Sequence, residues 1–141
     1  MKRLFFVLGL AAMLAACSND HSSINGTWTA ALTDSSGTPA FNFTTALTAA
    51  NNNGLNVSNL SFNTQEPCFP GTSTATGAFV VSGTFHGMSS GGFQMTVNSS
   101  SGGNQLQLNG TLHNNTVSGT WTLTGSTSGC SGSGIFTMNK S

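Results

Sequence analysis

Residues 104–125 alternate apolar and polar side chains with a period of two on both sides of the pair Asn114-Asn115. Such alternation is typical of β-strands that bury one face, and Asn tolerates the positive φ angles of a two-residue hairpin turn. With this pair as the turn, the opposed inward residues are Leu112 and Val117, Gly110 and Gly119, Leu108 and Trp121, and Leu106 and Leu123. A slip of one residue would expose all the apolar ones. The sequence therefore predicts one hairpin in one register.

Six other segments have a similar pattern, and no segment after the N-terminal apolar run has the spacing of an amphipathic helix. In the third segment the apolar phase changes between Val57 and Leu60, which predicts a bulge near Ser58 or Asn59. The segments are bounded by Ile24 and Leu32, Phe41 and Leu47, Leu55 and Phe62, Phe79 and Phe85, Phe93 and Val97, and Ile135 and Met138. With the hairpin they predict an all-β fold, an eight-stranded antiparallel up-and-down meander barrel. A two-sheet β-sandwich is the alternative, because it uses the same pattern of strands.

A Gly-Thr pair followed by a bulky apolar residue occurs four times, and each Gly shares a strand face with that residue. The pairs are Gly26 with Trp28, Gly83 with Phe85, Gly110 with Leu112, and Gly119 with Trp121. Gly inside a strand usually marks a bend or a close approach of another group. We therefore interpret these glycines as the points where the strands coil and a large neighbour finds space.

The chain begins with Lys2 and Arg3, followed by an apolar run that ends at Ala16. About 20 apolar residues are needed to span a bilayer, and this run is shorter, as in a secretory signal peptide. Its last four residues resemble the lipobox of bacterial lipoproteins: Leu14-Ala15-Ala16-Cys17. The resemblance implies that residues 1–16 are a cleaved signal peptide and that Cys17 carries acyl chains such as palmitate. Residues 17–23 then form a lipidated tether, and residues 24–141 form a single β domain.

The resemblance also implies a place in the cell. The acyl chains on Cys17 would hold the protein in a membrane of the bacterial cell envelope. Ser18 follows the Cys, whereas an Asp at this position resembles the inner-membrane retention signal of enterobacterial lipoproteins. The expected location is therefore the outer membrane.

Two cysteines remain when Cys17 is acylated. Cys68 and Cys130 lie 62 residues apart in turn-like surroundings, and the compartment beyond the inner membrane is oxidising. A zinc site would need more ligands, and neither His86 nor His113 lies at a recognisable spacing from these cysteines. The sequence predicts a Cys68–Cys130 disulfide and no metal site.

Charged residues make up 4% of the chain, three basic and three acidic, against about 25% in typical domains. Without a basic patch, nucleic acid is not an expected partner. The three carboxylates, Asp20, Asp34 and Glu66, fall in predicted loops or the tether, so no acid–base pair or Ser-His-Asp arrangement is indicated. We expect no catalytic residue, no enzyme activity and no cofactor.

The first strand resembles the Gly-x-Trp opening of lipocalins and the similar opening of avidin-like proteins, through Gly26-Thr27-Trp28. Both families are small meander barrels. Lipocalins usually lay a late Arg over that Trp, and here Lys140 is the one basic residue available for this role. Two functions are consistent with the sequence. One is a structural or surface lipoprotein with a filled barrel. The other is a module that binds a small apolar or amphipathic ligand between Trp28 and Trp121.

Overall fold

The computed structural model describes residues 21–63, 67–86, 88–100 and 103–141. The predicted signal peptide, Cys17, most of the tether, Asp20 and Glu66 lie outside these residues. The elements are a 3₁₀ turn His21–Ile24, β1 Gly26–Asp34, β2 Pro39–Ala49, a 3₁₀ turn Asn51–Asn53, β3 Gly54–Phe62, β4 Ser73–Phe85, β5 Met88–Ser99, β6 Gln105–His113, β7 Thr116–Thr124 and β8 Gly132–Lys140.

The eight strands form a closed barrel in chain order, with β8 pairing back onto β1. Every neighbouring pair is antiparallel, so the up-and-down meander barrel is confirmed and the sandwich alternative is wrong. Closure follows from the sequence pattern, because a sheet with one apolar face buries that face and loses its edges when it closes on itself.

The predicted hairpin is confirmed residue by residue. The β6–β7 ladder pairs Leu112 with Val117, Leu108 with Trp121, and Leu106 with Leu123. Asn114 lies in the turn with a φ angle of 56°. The alternation of apolar and polar residues therefore set the register correctly.

The predicted bulge in β3 is also confirmed. The β2–β3 register shifts between Thr44 and Ala46, opposite Asn59 and Leu60. Asn59 has a φ angle of 52°, and Thr45 donates from Oγ1 to the carbonyl of Ser58 over 2.9 Å. One boundary differs from the prediction: Ile24 belongs to the 3₁₀ turn and not to β1, because it folds inward as a cover for the barrel end.

Three of the four Gly-Thr glycines lie where a side chain would collide with a neighbour. A Cβ atom on Gly110 would lie 3.0 Å from Phe136 Cζ, and one on Gly119 would lie 2.5 Å from the Cα of Gly110. A Cβ atom on Gly26 would lie 2.7 Å from Lys140 Cε. Gly83 is different, because the nearest atom to its Cβ would be Ser90 Oγ at 3.5 Å. The close-packing interpretation is therefore confirmed for Gly26, Gly110 and Gly119 only.

The ladders around the barrel differ in length. Each of the other ladders has at least six residue pairs, whereas the described β3–β4 ladder has two: Gly54 with Ala78 and Leu55 with Gly77. Among the described residues, the β3–β4 ladder has no pair beyond Leu55 and Gly77.

Candidate functional site

The two ends of the barrel are built differently. One end, here called the anchor end, carries the N-terminal 3₁₀ turn His21–Ile24 and the hairpin turns that join β2 to β3, β4 to β5, and β6 to β7. The opposite end, here called the disulfide end, carries the longer connections that contain Cys68, between β3 and β4, and Cys130, between β7 and β8.

The 3₁₀ turn covers the anchor end. Ile24 is fully buried, and its turn contacts β2, β4 and β5. Trp28 donates from Nε1 to the carbonyl of Ile24 over 2.8 Å, inside the barrel. Lys140 pairs with Trp28 in the β1–β8 ladder and donates from Nζ to the carbonyl of Ser23 over 3.1 Å. Lys140 therefore lies beside Trp28, and its ammonium ties the start of the domain to the last strand.

The disulfide predicted between Cys68 and Cys130 is present, and both residues are buried. Beside it lies a residue that the sequence analysis did not single out. Asn104 is 2% exposed and donates from Nδ2 to the carbonyl of Cys68 over 2.8 Å and to Thr127 Oγ1 over 3.2 Å. The amide therefore links three connections: 63–72, 100–104 and 125–131. The only local signal was its place at the end of a Ser/Gly-rich turn.

We expect Asn104→Ala to lower the free energy of unfolding by about 1–2 kcal/mol, because the buried carbonyl of Cys68 loses its donor. Urea denaturation checks this value. Asn109→Ala is the matched control, since Asn109 is exposed on the outer face of β6, and its cost should stay within about 0.5 kcal/mol. Equal losses in the two variants would contradict the linking role of Asn104.

An aromatic cluster fills the barrel just inside the disulfide end. Phe62 stacks on Phe69 with ring centroids 5.0 Å apart, and it also contacts Phe41 and Phe43 edge-on. Phe41 contacts Trp121 edge-on at 5.5 Å. Trp121 donates from Nε1 to the carbonyl of Thr33 over 2.8 Å.

The two tryptophans therefore do not face each other across an open space. Trp28 donates a hydrogen bond to Ile24 at the anchor end, and Trp121 donates one to Thr33. Thr33 lies five residues after Trp28 in β1, which corresponds to about 16 Å of strand. Between these levels lie Phe43, which pairs with Ala30, and Phe136, which pairs with Leu32. Both phenylalanines are 2% exposed or less. Ligand binding by the two tryptophans stays a prediction.

Two recesses on the barrel wall, of about 230 and 220 Å³, are open to solvent. The smaller recess is lined by outward-facing residues such as Val80, Gln94 and Asn109. Both are smaller than the roughly 300–1,000 Å³ of typical ligand pockets, and neither has a titratable side chain in its lining. His86 and His113 are exposed at hairpin turns of the anchor end. Within the described ranges, no three His, Cys, Asp or Glu residues come together as a metal site would require.

Asp34 organises the β1–β2 turn. Its Oδ1 accepts hydrogen bonds from Ser36 Oγ at 2.6 Å, from the Ser36 backbone N–H at 2.8 Å and from the Thr38 backbone N–H at 2.9 Å. The hydrogen bond from the Ser36 hydroxyl is the largest of several that lower the pKa of Asp34 below its ordinary value of 3.8. The arrangement is that of an Asx turn, in which the carboxylate replaces a backbone acceptor.

An NMR titration should give Asp34 a pKa below 3.8. The hydrogen bonds to Asp34 stabilise its ionised carboxylate in the folded state but not in the unfolded chain. Their contribution to folding stability is therefore present above the unfolded pKa. It is lost as the pH falls through the folded pKa. Ser36→Ala removes the hydroxyl hydrogen bond that lowers the pKa of Asp34 the most, so this pKa should rise in the variant. An unchanged pKa in this variant would contradict the assignment.

The geometry defines the class of protein as a small, closed, disulfide-linked β-barrel. Residues 1–18 match the family model of the prokaryotic membrane lipoprotein lipid attachment site. The chain is thus a bacterial lipoprotein, lipid-anchored to a membrane of the cell envelope through the lipobox that ends at Cys17. Comparison with curated proteins and with solved structures found no match, so the resemblance to lipocalins and avidin-like proteins remains a prediction. Of the helices described, none has the length and apolar character to cross a bilayer.

Proposed function

We propose that this lipoprotein serves a structural or surface-display role in the cell envelope, acting through the outer face of a filled barrel and without catalysis. The observation that carries the proposal is the packing of the interior from one end to the other. The 3₁₀ turn and Trp28 close the anchor end, the aromatic cluster and the disulfide close the other, and fully buried side chains lie between them. Small eight-stranded barrels are commonly filled in this way.

A role without catalysis is supported by the small number of described groups that could act as a catalytic acid or base. Among the described residues Asp34 is the one carboxylate side chain, and its hydrogen bonds belong to a turn. General acid–base catalysis needs a titratable group beside a site where a substrate can lie. Neither wall recess supplies such a group.

The tether sets the orientation in this proposal. Cys17 precedes His21 by four residues, and an extended chain spans at most about 3.6 Å per residue. The start of the 3₁₀ turn is then within about 14 Å of the acylated residue. The anchor end faces the bilayer, and the disulfide end points away from it.

We test the filled interior with an unlipidated chain that begins at Ser18, titrated with N-phenylnaphthylamine while tryptophan fluorescence is recorded. The expected result is no saturable change, because buried side chains such as Phe43 and Phe136 occupy the barrel between the two tryptophans. Phe93→Ala, which removes a fully buried ring, is the positive control for sensitivity to a cavity. Saturable quenching in the unmodified chain would instead support an apolar or amphipathic ligand bound in the barrel near Trp28 or Trp121.

The outer membrane is the proposed location, because Ser18 and not Asp follows the lipidated residue. When the chain is expressed in an enterobacterial host, density-gradient fractionation should recover it mainly with outer-membrane markers. Ser18→Asp should move most of it to the inner membrane, and Ser18→Ala should leave it in place. Inner-membrane recovery of the unmodified chain would contradict the proposed location.

A further inference from the structure

The hairpin that joins β4 to β5 extends beyond its neighbouring strands at the anchor end. Its ladder continues to the pair of Phe85 with Met88, whereas the described pairing of β5 with β6 ends at Gly91. On the other side, the described pairing of β4 with β3 ends at Ala78. Met88 thus lies three residues beyond the last pair of β5 with β6, which corresponds to about 10 Å of strand.

We propose that this end of the hairpin rests in the headgroup layer of the bilayer that holds the lipidated Cys17, with Met88 as its apolar contact. The β4–β5 tip, as the site is called below, consists of residues 83–86 and 88–90. The inference rests on the proposed function, in which the anchor end faces the bilayer. A second point of contact beside the acyl chains would hold the barrel upright and keep the disulfide end away from the lipid.

The tether begins beside the tip. The 3₁₀ turn His21–Ile24 packs against both β4 and β5, and Cys17 precedes the turn by four residues. Because an extended chain spans at most about 3.6 Å per residue, the acylated residue lies within about 14 Å of His21. Residues 1–18 match the lipid attachment site. The bilayer is therefore the surface that the tether brings to the tip.

The tip is packed on its inner side and exposed on its outer side. Ser89 is 0% exposed, whereas its neighbour Met88 is 38% exposed. His86 is exposed in the turn, and an imidazole has an apolar body and a polar edge, as the boundary between acyl chains and headgroups requires. No charged residue occurs from 67 to 139. The tip therefore enters this boundary without removing a charge from water.

Met88 differs from the residues of the other two hairpin turns at the anchor end. Those turns are polar, with Asn51–Asn53 in one and Asn114-Asn115 in the other. Of the described residues, three large apolar ones are exposed, and the other two, Val80 and Ile135, lie in the interior of strands on the barrel wall. Apolar exposure at a turn of the anchor end thus coincides with the hairpin that extends beyond its neighbours.

The test uses the lipidated protein in phosphatidylcholine nanodiscs, with isotope-labelled methionine methyl groups observed by NMR. The chain after Cys17 has three methionines, and two of them, Met95 and Met138, are 1% exposed or less. A spin-labelled phosphatidylcholine, with its nitroxide just below the headgroup, is added to the nanodiscs. Because Met88 extends about 10 Å of strand past the neighbouring ladder, its methyl relaxation enhancement should be about tenfold or more above those of Met95 and Met138. Equal enhancement at all three methyl groups would overturn the proposal.

Ile135→Met supplies the matched control on the barrel wall. Ile135 is 62% exposed, more than Met88, and it pairs with Thr33 near the disulfide end. The methyl group introduced there should be relaxed strongly by a soluble paramagnetic chelate and little by the spin-labelled lipid, and Met88 should show the reverse. Equal lipid enhancement at the two positions would mean that the barrel lies on its side, and it would overturn the proposal.

Two variants test whether the side chain of Met88 holds the tip at the bilayer. Met88→Asp adds a charge that loses hydration in the headgroup layer, so the lipid enhancement at the His86 amide should fall by about half or more. Met88→Leu keeps an apolar side chain of similar size and should leave the enhancement unchanged. The same enhancement in both variants would show that the tether alone places the tip, and it would overturn the proposal.

Two other states of the tip are outcomes of the same measurement. Strong relaxation of Met88 by the chelate and none by the lipid would leave the tip in water. Protection of Met88 from both probes that rises with protein concentration would assign the tip to a second copy of this chain. Either outcome overturns the contact with lipid. Neither bears on the dye titration of the filled interior, so failure here and failure of the proposed function are distinguishable.

Discussion

Replacing Cys68 and Cys130 together by Ala lowers the free energy of unfolding by about 4 kcal/mol, the largest effect that we expect from any change discussed. The disulfide closes a loop over a separation of 62 residues, and a cross-link of that length removes much of the unfolded chain's entropy. For a domain of this size the loss lowers Tm by roughly 10–20 °C. Urea denaturation and calorimetry of the two proteins measure the two quantities.

The unmodified protein under reducing conditions is the control for this prediction. Its stability should approach that of the double variant, since both lack the cross-link while only one has altered side chains. A loss below about 1 kcal/mol in the double variant would contradict the prediction. It would mean that the contacts of Asn104 and Phe69 hold the disulfide end together without the bond.

Gly119→Ala lowers the free energy of unfolding by about 3 kcal/mol. The added Cβ would collide with the backbone carbonyl of Asn109 and lie 2.5 Å from the Cα of Gly110. Backbone atoms of a paired strand cannot move aside as a flexible side chain can, so the β6–β7 ladder has to open locally. The urea midpoint measures the loss, and exchange of the Gly110 amide shows where the ladder opens.

Gly83→Ala is the matched control, because Gly83 belongs to the same Gly-Thr pattern but has only Ser90 Oγ near the new methyl group, at 3.5 Å. It should change the free energy of unfolding by less than about 1 kcal/mol. Equal and large losses at both positions would mean that glycine is needed at each of them for a reason other than space.

Much of the barrel was predictable because its signal is local. Inward and outward residues alternate along each strand, so the β6–β7 register and the bulge at Asn59 could be read without knowing what the strands pack against. The disulfide was also predictable, because acylation of Cys17 leaves only two other cysteines.

Other features depended on how the strands close into a barrel. The alternation in the sequence predicted that both tryptophans lie inside. The stagger of the closed barrel decided that Trp28 donates to Ile24 at the anchor end and that Trp121 donates to Thr33 near the disulfide end. Ile24 carries the same inward phase as β1 and nevertheless lies in a 3₁₀ turn. Periodicity gives the face on which a residue lies, but it does not show which end of the barrel the residue closes.

The chain alone therefore determined the lipid attachment site, the all-β class and the pairing partners within hairpins, since each depends on residues close together in the chain or on a count of cysteines. Tertiary structure decided where distant connections meet. Only in the closed barrel does Asn104 reach Cys68 and Thr127. The two-pair length of the described β3–β4 ladder is likewise decided there, because a ladder's length depends on the relative twist of two strands, and sequence alternation carries no record of that twist.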